Sequence, residues 1–98
     1  VNRKAQYAKT LIKKGASIGA NSTIVCGNEI GEFALIGAGA VITKNILPYA
    51  LVVGNPARQI GWVSEYGHRL NFDDKGIAIC PETQQEYQLS NNTVKRIK

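Results

Sequence analysis

Isoleucine recurs at every sixth position through the first half of the chain, and this spacing constrains the fold more than any other feature of the sequence. The residues are Ile12, Ile18, Ile24, Ile30, Ile36 and Ile42. An amphipathic helix has apolar residues three or four positions apart, so residues six positions apart do not share a helix face. Six is a multiple of the two-residue repeat of a strand, so the spacing favours extended backbone.

Glycine is too frequent in the same segment for one long helix or one long flat strand. It occupies positions 15, 19, 27, 31, 37 and 39, and it directly follows the isoleucine in three of the six repeats. Each of these glycines would destabilise a helix by about 1 kcal/mol, and glycine also weakens a continuous strand. A chain that turns a corner every six residues satisfies both patterns, with the isoleucine pointing inward and a small residue at the corner.

Three such corners close one coil of a prism, so residues eighteen positions apart stack on each other. The predicted stacked pairs are Ile12 with Ile30, Ile18 with Ile36, and Ile24 with Ile42. The segment from residue 12 to residue 47 therefore predicts about two coils of a parallel β-helix. All six isoleucines are expected to point into its interior.

The six-residue spacing ends after Leu47, and the remaining sequence predicts short strands joined by turns. An apolar strand is expected at 51–53, followed by a turn at Gly54-Asn55-Pro56 and by a strand that ends at Val63 and caps the coils. The polar residues 65–75 are expected to form a loop. Alternating apolar residues after this loop predict a small β appendage.

The chain is therefore expected to be all-β and to divide into three regions. Residues 1–11 would form a lead-in loop, residues 12–63 the β-helix and its cap, and residues 64–98 a loop with a β-hairpin extension. The 98 residues, 44% of them hydrophobic, are enough for one small domain. No apolar run approaches the roughly 20 residues that span a bilayer, so no membrane span is expected.

Composition also indicates the cellular compartment of the protein and the state of its cysteines. The polar, basic start of the chain does not have the apolar core of a secretory signal. Cys26 and Cys80 are too few for a disulfide framework or a structural zinc cage. We therefore expect a cytoplasmic protein with free thiols and no bound metal. The chain contains no methionine, and Val1 suggests a processed chain or a piece of a longer one.

Positive charge is concentrated at the start of the chain. The formal net charge is +5, and no acidic residue occurs among the first fourteen residues. This surplus favours anionic partners such as phosphates or nucleotides, although an ordinary solvated surface is equally compatible with it. The basic start has no interleaved aromatic residues beyond Tyr7 and matches no recognition motif, so nucleic acid is not an expected partner.

Two segments, IGAGAVITK at 36–44 and VGNPAR at 53–58, accompany the repeats. Together they resemble the left-handed β-helix (hexapeptide-repeat) acyltransferases that use CoA. The flanking sequences, Asn2-Arg3-Lys4 and the stretch from Gln59 to His68, are similar to the C-terminal half of the N-acetyltransferases that act on UDP-2-acetamido-3-amino-2,3-dideoxy-glucuronate in bacterial O-antigen synthesis. The resemblance implies left-handed coiling, a homotrimer, and transfer of an acetyl group from acetyl-CoA to a UDP-amino-sugar.

The same resemblance implies which residues hold the cofactor. Ala20 and Ala38 would be corner contacts for the pantetheine arm, because small side chains let a ligand reach the backbone. Thr43 and Lys44 match the Thr-Lys pair of the family near the nucleotide end of CoA, where an ammonium group suits a phosphate. Arg58 is the second phosphate candidate, because its guanidinium group can bind phosphate as a fork.

The remaining candidates lie outside the repeats. Arg3, Lys4 and Tyr7 resemble the family's loop that leads into the last coils, and they would line the cofactor or sugar cleft. No residue matches a catalytic base. His68 is the only histidine, and its place beyond the repeats favours a surface or interface position over a catalytic one.

Structural alternatives remain open for every candidate, including turn alanines, a surface lysine and an arginine that packs beside Trp62. At the level of the whole protein, the alternatives are a non-catalytic trimeric β-helix module and a different hexapeptide-repeat enzyme, such as another sugar O- or N-acyltransferase. A γ-class carbonic anhydrase would need three histidine ligands for zinc, and the chain contains one histidine.

Overall fold

The structure, a computed structural model, describes residues 10–98. This part of the chain is all-β, as expected, with twelve strands and no helix. The strands are β1 (Leu11–Ile12), β2 (Ser17–Ile18), β3 (Thr23–Ile24), β4 (Glu29–Ile30), β5 (Leu35–Ile36), β6 (Val41–Ile42), β7 (Ala50–Val53), β8 (Arg58–Val63), β9 (Arg69–Leu70), β10 (Ile77–Ile79), β11 (Glu86–Ser90) and β12 (Thr93–Arg96). Within these residues there is accordingly no helix that would cross a membrane.

The first six strands stack as parallel pairs with a constant offset of eighteen residues. β1 pairs with β4, β2 with β5 and β3 with β6. The registers bring together Ile12 and Ile30, Ile18 and Ile36, and Ile24 and Ile42. The stacking predicted from the isoleucine spacing is confirmed, because the chain visits three separate sheets in turn before it returns to the first.

The glycine after the isoleucine is required because the next layer lies directly against the corner. A Cβ atom at Gly19 would lie 2.5 Å from the backbone nitrogen of Ala38. At Gly31 it would lie 2.4 Å from the backbone nitrogen of Pro48. Backbone atoms cannot move aside as a flexible side chain can, so a larger residue at either position would force the layers apart.

A third, incomplete layer follows the two predicted coils, and its spacing is different. Ile46 bridges to Ile30, and Val52 pairs with Ile36, so the offset in this layer is sixteen residues. The predicted apolar strand at 51–53 is confirmed by β7. Ile46 packs against the core although it lies outside the six-residue frame, because the chain is two residues shorter between the second and third layers.

The interior of the prism is made of stacked aliphatic side chains. Its buried residues are Ile30, Ala34, Ile36, Ala40, Ile42 and Val52. The first layer differs, because Ile12 is 48% exposed, Ile18 is 38% exposed and Ile24 is only partly buried. Ile12 and Ile18 lie in register with the buried Ile30 and Ile36 and so share their inward face, as expected, but they are not buried. They belong to the first described layer, and nothing within residues 10–98 covers its outer side.

The chain reverses after the third layer and adds two antiparallel strands to one sheet. β8 pairs antiparallel with β7, which confirms the predicted strand that ends at Val63, and β9 pairs antiparallel with β8. The resulting sheet has the strand order β2-β5-β7-β8-β9. β9 lies in a segment that was expected to be a loop. Its two residues are too few to show an alternating pattern, although Leu70 is only 4% exposed.

The last three strands form an antiparallel sheet in the order β10-β11-β12. This appendage has a core of its own that includes Tyr87 and Cys80, both fully buried, and it shares that core with Tyr49. The Tyr49 ring stacks on Phe33 with a centroid distance of 5.5 Å and meets Tyr87 edge to face at 5.4 Å. Three aromatic rings therefore join the appendage to the second coil.

Candidate functional site

A cavity of about 370 Å³ opens where the third layer reverses direction. Its rim includes Thr43, Lys44 and Arg58, and its floor includes Ile46, Val52 and Ala57. Because Val52 belongs to the buried core and the other two floor residues pack against that core, the floor is continuous with the interior of the prism. The cavity therefore combines an apolar floor with a cationic rim.

Backbone hydrogen bonds bring the two sides of this rim together. The Val41 nitrogen donates to the Gly54 carbonyl oxygen at 2.9 Å, and the Ala57 nitrogen donates to the Val41 carbonyl oxygen at 2.9 Å. The turn before β8 is thus held against β6, and Arg58, the first residue of β8, lies beside the corner that follows β6. The structure brings together three of the residues singled out in the sequence, although fourteen positions separate Lys44 from Arg58.

The two cationic residues of the rim are available to a ligand. Both Lys44 and Arg58 are exposed. Among residues 10–98, neither has a carboxylate within ion-pair distance, and the four ion pairs of this range involve other cations. Because no internal carboxylate neutralises them, an anionic ligand at the rim would meet two uncompensated positive charges.

Ala20 and Ala38 occupy another corner of the prism and do not line the cavity. They stack one layer above the other, as their eighteen-residue separation predicts, and the Gly39 nitrogen donates to the Ala20 carbonyl oxygen at 2.9 Å. Ser22 ties the same corner together by donating from Oγ to the carbonyl oxygens of Gly19 and Gly37, at 2.8 and 3.0 Å. Both alanines are exposed.

The other residues considered in the sequence lie elsewhere. Arg3, Lys4 and Tyr7 are outside the described residues. His68 is partly exposed and does not line the cavity, and its Nε2 lies 2.5 Å from Glu82 Oε1. This hydrogen bond raises the pKa of His68 above its usual value. The geometry makes His68 a surface residue with its own partner.

Cys80 has a shifted pKa but no access to a ligand. Burial raises the pKa of its thiol, but hydrogen bonds with Ser64 and Thr83 outweigh burial and bring the pKa down to about 7. The Cys80 side chain is fully buried, and its Sγ lies 3.3 Å from Ser64 Oγ. Within residues 10–98, no three side chains of the types that ligate metals are gathered in one place.

The sequence did not reveal the apolar floor of the cavity. Ile46 and Val52 fall outside the six-residue frame because the third layer is offset by sixteen residues. No sequence pattern indicated a role for Ala57 in the cavity, apart from its position in the VGNPAR segment. The rim residues were found because they lie in recognisable motifs, whereas the floor depends on how the last layer stacks.

Comparison with known proteins adds an independent line of evidence. No protein-family model matches the chain. The chain is 46% identical over 91 residues to the dTDP-3-amino-3,6-dideoxy-alpha-D-galactopyranose 3-N-acetyltransferase of Aneurinibacillus thermoaerophilus. The matched region covers 93% of this chain and 46% of that enzyme.

Two solved structures are similar to part of the chain. A maltose O-acetyltransferase from Clostridium difficile 630 matches with a TM-score of 0.56 and 38% identity, over 58% of this chain and 30% of that protein. A hexapeptide-repeat-containing acetyltransferase from Vibrio cholerae O1 biovar eltor, complexed with acetyl coenzyme A, matches with a TM-score of 0.57 and 29% identity, over 63% of this chain and 36% of that protein.

The chain spans less than half the length of each of these three proteins. All three are acetyltransferases, which supports the resemblance to hexapeptide-repeat acetyltransferases.

Proposed function

We propose that the chain is part of an acetyl-CoA-dependent N-acetyltransferase that modifies the amino group of a nucleotide-linked sugar. The observation that carries the proposal is the convergence of Thr43, Lys44 and Arg58 on one cavity with an apolar floor. The 46% identity to a dTDP-amino-sugar N-acetyltransferase supports the choice of a nucleotide-linked amino sugar. A UDP-linked amino-sugar uronate and a role in surface-polysaccharide synthesis are the narrower form of the proposal.

The residues of the chain would act mainly by holding acetyl-CoA in place. The Lys44 ammonium and the Arg58 guanidinium would bind phosphate oxygens of its nucleotide end, where charge-assisted hydrogen bonds are strong. Ala20 and Ala38 would leave backbone N–H and C=O groups accessible to the amides of the pantetheine arm. Holding the thioester beside the sugar amine contributes to the rate by orientation, since positioning alone removes a large part of the barrier to a two-substrate reaction.

We also propose left-handed coiling and a homotrimer. The support for a trimer is that the alanine corner and the cationic rim lie at different corners of one prism. A ligand held between two neighbouring copies would contact the alanine corner of one copy and the cationic rim of the next. One molecule of acetyl-CoA would then touch both groups of residues without spanning a face.

The proposal is tested by isothermal titration of acetyl-CoA into the 98-residue chain. Lys44→Ala and Arg58→Ala are each expected to weaken binding about tenfold, because a hydrogen bond to a charged group contributes about 1.5–3 kcal/mol. Lys75→Ala, an exposed lysine in the loop after β9, is the matched control and is expected to bind like the unmodified chain. Failure of the unmodified chain to bind acetyl-CoA, or equal affinity in all four proteins, would overturn the proposal.

A second candidate is transfer of the acetyl group to a sugar hydroxyl. The similarity to a maltose O-acetyltransferase favours it. The two candidates share the acetyl-CoA site and differ only in the acceptor, so titration with acetyl-CoA does not separate them. Assays of the full-length protein with an amino sugar nucleotide and with maltose as acceptors distinguish the two.

A further inference from the structure

Arg69 is an arginine to which the sequence assigned no function, and its guanidinium group is held in a fixed place on β8. Its Nη2 donates to the Ile60 carbonyl oxygen at 2.6 Å. A Cβ atom at Gly61 would lie 3.1 Å from both Nε and Nη2 of Arg69. The guanidinium group therefore lies over Gly61, where the missing side chain leaves room for it.

Strand register determines the face of the sheet from which Arg58 projects. Directly opposite residues of paired strands share a face, and residues two apart in one strand also share a face. Arg58 lies opposite Val53, two residues from Leu51. Val52, between them, belongs to the buried core. Arg58, at the edge of the cavity, therefore projects from the outer face of the sheet and not towards the apolar floor.

Arg69 projects from the same outer face. It lies opposite Val63 in the pairing of β8 with β9. Val63 is two residues from Gly61, which lies opposite Leu51 in the pairing of β7 with β8. The position of the Arg69 guanidinium group over Gly61 agrees with this register. Two arginines from different strands thus share one surface at the end of the sheet.

Both arginines have unused hydrogen-bonding capacity and uncompensated charge. A guanidinium group carries five N–H donors, and Arg69 directs only Nη2 to a protein acceptor in the described part of the chain. Neither Arg58 nor Arg69 has a carboxylate within ion-pair distance in that part. The carbonyl of Ile60 fixes the orientation of Arg69 in advance, which lowers the entropic cost of binding a ligand.

We propose that Arg58 and Arg69 form one anion site that binds the diphosphate group of a nucleotide. A diphosphate has two adjacent anionic groups, and each guanidinium group can bind one of them through a pair of hydrogen bonds. Gly61 is a positioning residue, because its lack of a side chain lets Arg69 lie across β8. This inference rests on the proposed function, in which both acetyl-CoA and the sugar nucleotide carry a diphosphate.

The first experiment measures ADP and AMP binding by isothermal titration. Arg69→Gln is expected to weaken ADP binding about tenfold and to change AMP binding less than threefold, because only ADP engages both arginines. Lys75→Gln is the control and is expected to leave both affinities unchanged. An equal loss for ADP and AMP, or no loss for either, overturns the two-arginine site.

The second experiment identifies the source of the diphosphate and tests the positioning role of Gly61. Loss of CoA affinity in Arg69→Gln assigns the site to the cofactor, and loss of dTDP affinity assigns it to the sugar nucleotide. Gly61→Ala is expected to weaken binding of the same ligand. The double variant Gly61→Ala/Arg69→Gln is expected to bind no more weakly than Arg69→Gln alone, since both changes remove the same contact. Additive losses overturn the positioning role.

The outcomes separate this inference from the proposed function. If Lys44→Ala weakens acetyl-CoA binding while Arg69→Gln changes neither CoA nor dTDP binding, the two-arginine site is wrong and the proposed function stands. If the unmodified chain binds neither CoA nor dTDP, both are wrong. Circular dichroism of each variant verifies that the β-sheet content is retained.

Discussion

The prism and the appendage are stabilised by different kinds of contact. The prism interior consists of stacked aliphatic residues with no charged group among them. The appendage is joined to it through Tyr49, whose hydroxyl donates to Glu65 Oε2 at 2.8 Å, and Glu65 in turn pairs with Arg96 at 3.1 Å. Burial and the neighbouring Glu65 carboxylate raise the pKa of Tyr49. The Tyr49 hydroxyl therefore keeps its proton at neutral pH and donates this hydrogen bond.

This difference explains why the contacts of the prism can be predicted from the sequence and those of the appendage cannot. In the first two layers of the prism, each strand pairs with the strand eighteen residues away, so one rule describes six strands. In the appendage, each polar contact occurs once. Glu65 stabilises the junction because it contacts Tyr49, Tyr87 and Arg96, which are far apart in the sequence.

The largest effect is expected in the prism interior. Ile30→Ala should lower the free energy of unfolding by about 2–5 kcal/mol, because it leaves a cavity in a fully buried layer. Ile12→Ala makes the same change one layer earlier, where the side chain is 48% exposed, and should cost less than about 1 kcal/mol. Urea denaturation of both variants measures the difference. Equal costs would mean that the two layers are equally buried in solution.

An intermediate effect is expected at the polar junction. The Tyr87 hydroxyl accepts a hydrogen bond from the Glu65 nitrogen at 3.0 Å. Tyr87→Phe leaves this donor without a partner and should cost about 1–3 kcal/mol. Tyr66→Phe, which changes a 60% exposed tyrosine in the same turn, should cost less than about 0.5 kcal/mol. Urea denaturation tests this pair too, and identical stability of the two variants would show that the junction contributes nothing.

The smallest effect is expected from the surface pair of His68 and Glu82. The hydrogen bond with Glu82 raises the pKa of His68 in the folded state above 6.5. Folding is therefore favoured by this pair below pH 6.5, and that contribution is lost as the pH rises through the folded-state pKa. The melting temperature of Glu82→Gln should approach that of the unmodified chain as the pH rises from 5 to 9. A constant difference across this range would mean that protonation of His68 has no part in the pair.

The sequence was sufficient to predict the layers of the prism but not the way they end. The isoleucine spacing predicted the registers of β1 to β6, and the motifs at 36–44 and 53–58 indicated Lys44 and Arg58. The arrangement at the top depends on a register shift between Leu51 and Val52 in the pairing of β7 with β8. Such an irregularity follows from three-dimensional packing rather than from any local pattern, so the position of Arg69 over Gly61 could not be predicted.

The reversal of the chain after the third layer has a consequence for how such a protein can vary in length. The rim residues of the cavity come from the corner after β6 and from the first residue of β8, and its floor comes from the third layer and the turn before β8. The cavity therefore belongs to the terminus of the array, and its shape does not depend on how many coils precede it. Whole coils can be gained or lost at the opposite end of the array without changing the residues that line the cavity.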